Sequence, residues 1–173
     1  SLPLDVLARM NFYPSLVQVF CKKIAEASRT ATAHGPRWTL SRGELFEGSV
    51  AQEIAKEIKK RFQLTLNLDT RYDLTAKRIT LHRFLDPNGH TEILRTGLSP
   101  QSIMDLTSEW WPVGVDRPSN LTDFREILDE MVDLGVLGSF DQNRYGLRNA
   151  HIAQMLGSQE RLEDEILAIS ALE

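Results

Sequence analysis

Arg144, Tyr145 and Arg148, just past a short polar turn, are the side chains of this chain best suited to meeting a phosphate backbone. Guanidinium groups grip phosphate oxygens in a fork, and a phenol adds one more donor. Trp111, the second of the Trp110-Trp111 pair, is a contact candidate of another kind. Paired tryptophans at the end of an amphipathic helix usually close a core, but an exposed second ring would mark a docking surface. Catalytic chemistry is harder to assemble. Cys21 falls among Leu16, Val17, Phe20 and Ile24 at helical spacing, which reads as a buried thiol rather than a nucleophile. His34, His82, His90 and His151 lack the His/Cys spacing of a metal centre, so no metal is expected. Asp129-Glu130 and Glu163-Asp164-Glu165 are adjacent acids of the kind that lines solvated helix faces. No Gly-x-x-x-x-Gly-Lys-Ser/Thr loop occurs, and ATP phosphates need such a cradle of amides with its lysine. No catalytic residue is assigned, and the chain is not expected to be an enzyme.

With 173 residues, 42% hydrophobic and 25% charged, the chain suits one or two small domains, and no apolar run approaches the roughly 18 residues of a membrane span. A net charge of -4 gives no global attraction to phosphate, so nucleic acid would have to be met by a local patch. Two further basic clusters exist, Lys77, Arg78, His82 and Arg83, and Lys56, Lys59, Lys60 and Arg61. Each reads first as a solvated face. A single cysteine excludes an internal disulfide. No charged-then-apolar leader is present, which makes the cytoplasm the expected compartment and a membrane partner unexpected. The chain opens without methionine in what reads as the middle of a helical domain, and a fragment of a larger protein is expected.

The elements that must position these residues are mostly helical. Leu4 to Met10 reads as a helical piece, broken at Asn11-Phe-Tyr-Pro14, where proline suits the first turn of a new helix. That helix should end near Ser28. Residues 29–40, with Gly35-Pro36, read as a connection, and Ser41-x-x-Glu44 as a capping box. Val50, Ile54, Ile58 and Phe62 then repeat every four residues, the period of a long helix. Leu64, Leu66 and Leu68 alternate, which fits a strand or a helix end; helix is favoured. Asp69-Thr-Arg-Tyr72 starts another helix through about Leu85, closed by Asp86-Pro-Asn-Gly89. Ser99-Pro100 caps the next, running to Trp111-Pro112.

Asn120 or Thr122 caps a helix whose apolar stripe is Leu121, Phe124, Ile127, Leu128, Met131, Val132 and Leu134, with Gly135 as a left-handed exit. Val136-Leu137 and Tyr145-Gly-Leu147 flank Asp141-Gln-Asn143, which is a hairpin signal. Helix, glycine, hairpin is the second half of a winged helix. The fold class expected is mainly α: a helical segment over 1–46, then a winged helix-turn-helix domain with a small β-hairpin wing over 47–173. Two short helices should follow, one ended by Gly157 and one capped by Ser158 with Leu162, Ile166 and Ile169 inward. The third helix bears Asp123, Glu126, Asp129, Glu130 and Asp133 against Arg125 alone, a face that phosphate repels. In the wing, Tyr145 and Leu147 should pack inward while the arginines pair with nearby acids.

Leu134-Gly-Val-Leu137 followed by Arg144-Tyr-Gly-Leu-Arg-Asn149, with Asn11-Phe-Tyr-Pro-Ser-Leu-Val-Gln18 and Arg61-Phe-x-x-Thr-Leu-x-Leu-Asp-x-Arg-Tyr72, resembles the C-terminal region of bacterial AAA+/STAND-type P-loop ATPases. The resemblance covers nearly the whole chain in the expected order. It implies a helical lid segment followed by a winged helix used for regulation or for DNA or protein contact. It also implies that Pro14 lies near a nucleotide, ATP, held by a larger parent chain, although the usual Gly-x-Pro has lost its glycine here. The fragment itself would carry no cofactor. Its expected partner is the parent's ATPase core or another protein, and the alternative is a DNA-binding domain of a transcriptional regulator.

Overall fold

The computed structural model describes residues 14–32, 43 and 48–171, and the chain divides into two compact units, 1–64 and 65–173. The helical piece at 4–10, the capping box at Ser41 and the expected boundary between 46 and 47 lie outside the described residues. Among the described residues no helix is long and apolar enough to cross a membrane.

In the first unit, helix α1 (Pro14–Thr32) begins at the proline and continues a turn beyond Ser28. Arg29 in its last turn complements the partial negative charge of the exposed carbonyls there. Val19 and Phe20 are buried, as is Ile54 of helix α2 (Ser49–Leu66). Lys23 reaches Glu26 on its own helix at 3.3 Å and Glu53 of α2 at 4.0 Å. Cys21 is exposed, contrary to expectation. Successive helical positions turn by about 100°, so position 21 falls about 200° from Val19 and outside the buried stripe. The Leu64, Leu66, Leu68 alternation resolves as a helix end. The helix runs through Leu66, which is fully buried, while Leu64 and Leu68 stay exposed.

In the second unit, helix α3 (Thr70–Leu85) is capped by Asp69, whose carboxylate accepts the Arg71 amide at 2.8 Å. It is buried on most sides: Tyr72, Leu74, Thr75, Ala76, Lys77, Ile79, Thr80 and Leu81 are all covered. Such a helix needs partners all around it. They are helix α4 (Pro100–Ser108), helix α5 (Leu121–Asp133), strand β2 (Arg144–Leu147), helix α6 (Ala150–Leu156) and helix α7 (Gln159–Ser170). Ser99 accepts the Ser102 amide at the start of α4, and Asn120 accepts those of Thr122 and Asp123 at the start of α5. Helix α4 stops at Ser108, short of the tryptophan pair.

Helix α5 leaves through Gly135 at φ 75°, a conformation that costs a glycine little. The chain then pairs β1 (Leu137–Phe140) antiparallel with β2, Leu137 opposite Leu147 and Phe140 opposite Arg144. The intervening turn holds Gln142 and Asn143 at φ 63° and 56°. Phe124, Leu128 and Met131 of α5 join Ile103, Leu137, Leu147, Leu162 and Ile166 in the fully buried core. Among the described residues the architecture is therefore mainly helical with one small antiparallel hairpin.

Two features between α3 and α4 have no counterpart in the sequence reading. A helical turn at Gly89–Thr91 runs straight into a π-helical turn at Glu92–Thr96. It folds back on α3 so tightly that a Cβ at Gly89 would sit 2.3 Å from the His82 carbonyl oxygen. Leu98 then forms an isolated antiparallel bridge with Tyr145, exchanging amide hydrogen bonds at 2.6 and 2.8 Å.

Candidate functional site

The inward stripe of α5 turns its acids outward, with Glu126, Asp129, Glu130 and Asp133 all exposed beside Arg125. Two tyrosines from neighbouring elements fix this face. The Tyr72 hydroxyl of α3 donates to Glu130 at 2.5 Å, and the Tyr145 hydroxyl of β2 donates to Asp129 at 2.7 Å. A phenol is a neutral donor, so it orients each carboxylate without bringing a charge of opposite sign to it. The phenols respond in turn. The hydrogen bond to Glu130, then burial, pushes Tyr72 up to about 12. Burial, then the bond to Asp129, does the same to Tyr145. At the start of the helix, the hydroxyl and amide of Ser119 donate to Asp123 and hold its carboxyl below the usual range.

The residues expected to make contacts are dispersed. Tyr145 and Leu147 are buried as expected. Arg144 does not pair with an acid: its Nε donates to the carbonyls of Thr96 and Gly97 at 3.1 and 2.9 Å. Those carbonyls end the π-helical turn and need a donor, which explains where the guanidinium goes. Arg148 is exposed just beyond β2, its amide donating to Val136. Trp111 is core and not docking surface, only 8% exposed, with its indole N–H on the Val115 carbonyl and its ring edge-on to Phe124. Because α4 ends early, the loop after it carries Trp111 over Phe124. Trp110 is half-buried and has the Arg78 guanidinium over its ring at 5.4 Å. Pro14 opens α1 in the first unit.

The basic cluster on α3 is not a shared surface. Lys77 is buried between Asp73 and Glu165, at 2.7 and 2.9 Å, while Arg78 binds the Leu106 carbonyl and Arg83 lies over Phe84. Burial alone would raise Glu165, but its hydrogen bonds from Lys77 and Arg161 prevail and hold it below the usual carboxylate range. On α2, Arg61 pairs with Glu57 at 3.2 Å, and Lys56, Lys59 and Lys60 are exposed.

One cluster was missed by sequence reasoning. His82, Asp86 and Glu92 bring an imidazole nitrogen and two carboxylate oxygens within 4.8 Å of one another, all three half-buried, and His82 Nε2 lies 2.7 Å from Glu92. A search for His/Cys pairs passes over it, because two of its members are carboxylates and one of these, Glu92, is brought to the other two only by the fold-back at Gly89. The legible part was His82 and Asp86, four residues apart near a helix end.

Compared with known proteins, the chain matches no family model, no curated protein and no solved structure.

Proposed function

We propose that this chain is a non-catalytic interaction module of winged-helix type, acting through protein or intramolecular contacts. The order α3, Leu98, α4, α5, β1, β2, with Leu98 bridged to the second hairpin strand, supports the winged-helix reading. In that arrangement α5 is the helix that enters the DNA major groove in relatives that read sequence. The observation that carries the functional reading is its outer face, where four acids are exposed beside one arginine and a fifth, Asp123, is half-buried at the start of the helix. Tyr72 and Tyr145 hold two of those acids outward without neutralising them. Such a surface repels phosphate and attracts a basic protein surface. The resemblance to AAA+/STAND-type ATPases makes the ATPase core of a larger parent the partner of choice, with ATP bound there and Pro14 on the nucleotide side.

Fluorescence anisotropy with duplex DNA at low and moderate salt tests this. The expected result is no binding at either salt, and salt-sensitive binding gained by the double variant Glu126→Lys, Asp133→Lys. Salt-sensitive binding by the unaltered chain, lost on Arg148→Ala, would replace this reading with a DNA-binding wing.

A further inference from the structure

We infer that His82, Asp86 and Glu92 form a binding site for one divalent first-row transition-metal ion of the zinc class. The three side chains come from the last turn of α3, the turn after it, and the first residue of the π-helical turn. Their ligand atoms already lie within 4.8 Å of one another. A tetrahedral ion with bonds of about 2.0–2.1 Å holds its ligands about 3.3 Å apart, so modest side-chain rotations close the set. The donor chemistry selects the ion. One imidazole nitrogen with two carboxylates suits zinc, cobalt or manganese. Calcium and magnesium favour all-oxygen sets, and a copper(I) site would want sulfur. Two carboxylates also offset the charge of a divalent cation, which eases its transfer from water into a half-buried position.

The backbone is arranged to hold this set together. The absence of a side chain at Gly89 lets the returning chain lie against the His82 carbonyl, where a Cβ would be 2.3 Å away. Ile93, next to Glu92, is fully buried and anchors the π-helical turn. The Gly97 amide closes that turn on the Glu92 carbonyl. Single π turns inside helices recur at functional sites. His82 Nε2 lies 2.7 Å from the Glu92 carboxylate, and an ion bound between the two would take the place of that contact. Three protein ligands leave one tetrahedral position for water or a donor from a partner.

Chelator-treated protein titrated with Zn2+ by calorimetry, with Mg2+ as the hard-cation control, decides this. The expected result is one equivalent of Zn2+ bound, no Mg2+ binding, and an upward shift in Tm on addition of Zn2+. Glu92→Gln, close in shape and expected to fold, should weaken Zn2+ binding by more than the roughly 10–100-fold that loss of a supporting contact costs. Asp86→Asn should do the same, and His82→Ala should abolish binding, with circular dichroism confirming the fold of each variant. His90→Ala, at an exposed histidine nearby, should leave it unchanged. No saturable binding at millimolar Zn2+, binding indifferent to Glu92→Gln and Asp86→Asn, or binding lost with His90→Ala would each overturn the proposal.

Discussion

Alkaline titration probes the acidic helix directly, because both phenols that orient it ionise above the ordinary tyrosine range. The unfolded-state value is about 10, and Tyr72 and Tyr145 are each pushed up to about 12 in the folded chain. A pKa raised by folding contributes stability that is whole below about pH 10 and lost as pH rises through about 12. Two units at about 1.36 kcal/mol each set an upper bound of about 2.7 kcal/mol per tyrosine. The physical origin differs in order: at Tyr72 the hydrogen bond to Glu130 leads and burial follows, whereas at Tyr145 burial leads and the hydrogen bond to Asp129 follows. Urea denaturation at steps through this window, together with tyrosinate absorbance in a Tyr13→Phe background, reads the effect. The wild-type chain should lose stability across the window, and Tyr72→Phe and Tyr145→Phe should each flatten the loss. At neutral pH each Phe variant should cost about 1.5–3 kcal/mol, since the hydrogen bond is made to a charged group. A common midpoint near 10 for both phenols, or a double Phe variant as alkali-sensitive as wild type, would refute the reasoning.

Other perturbations have defined outcomes. Gly89→Ala should destabilise the second unit by more than about 2 kcal/mol in urea denaturation, because the added carbon meets backbone and not a movable side chain. Asn120→Ala removes a cap that accepts two amide hydrogens, and should cost about 1 kcal/mol. Lys77→Ala strands two carboxylates that close on a buried ammonium, and should cost about 3 kcal/mol. A measured loss under about 0.5 kcal/mol, the scale of an ordinary surface change, would show that water solvates that cluster.

What the residues disclosed in advance was local. Ser99 and Asn120 sit where a cap is needed, Gly135 adopts the left-handed exit, and the polar turn at Asp141–Asn143 joins two strands. Each signal spans a few residues and acts through its own backbone. The missed features join distant parts of the chain. The bridge from Leu98 to Tyr145 rests on one residue with no alternation around it. The partners of Arg144 are carbonyl oxygens 47 and 48 residues away, and a sequence gives acids by name but not unsatisfied carbonyls. Cys21, read as buried and found exposed, was misplaced for a related reason. Helical spacing narrows a residue to a face, and only the neighbouring elements decide whether that face is covered.

The ion pair between Lys77 and Glu165 bears on how the chain is made. Helix α7 covers α3, yet α7 leaves the ribosome 88 residues after Lys77 (165 minus 77), a delay of roughly 4–18 s at about 5–20 residues per second. During that interval one flank of α3 waits uncovered. A lysine there, in place of a leucine, keeps the waiting flank hydrated and less adhesive toward other nascent chains, and the arrival of Glu165 turns the same charge into part of the finished core.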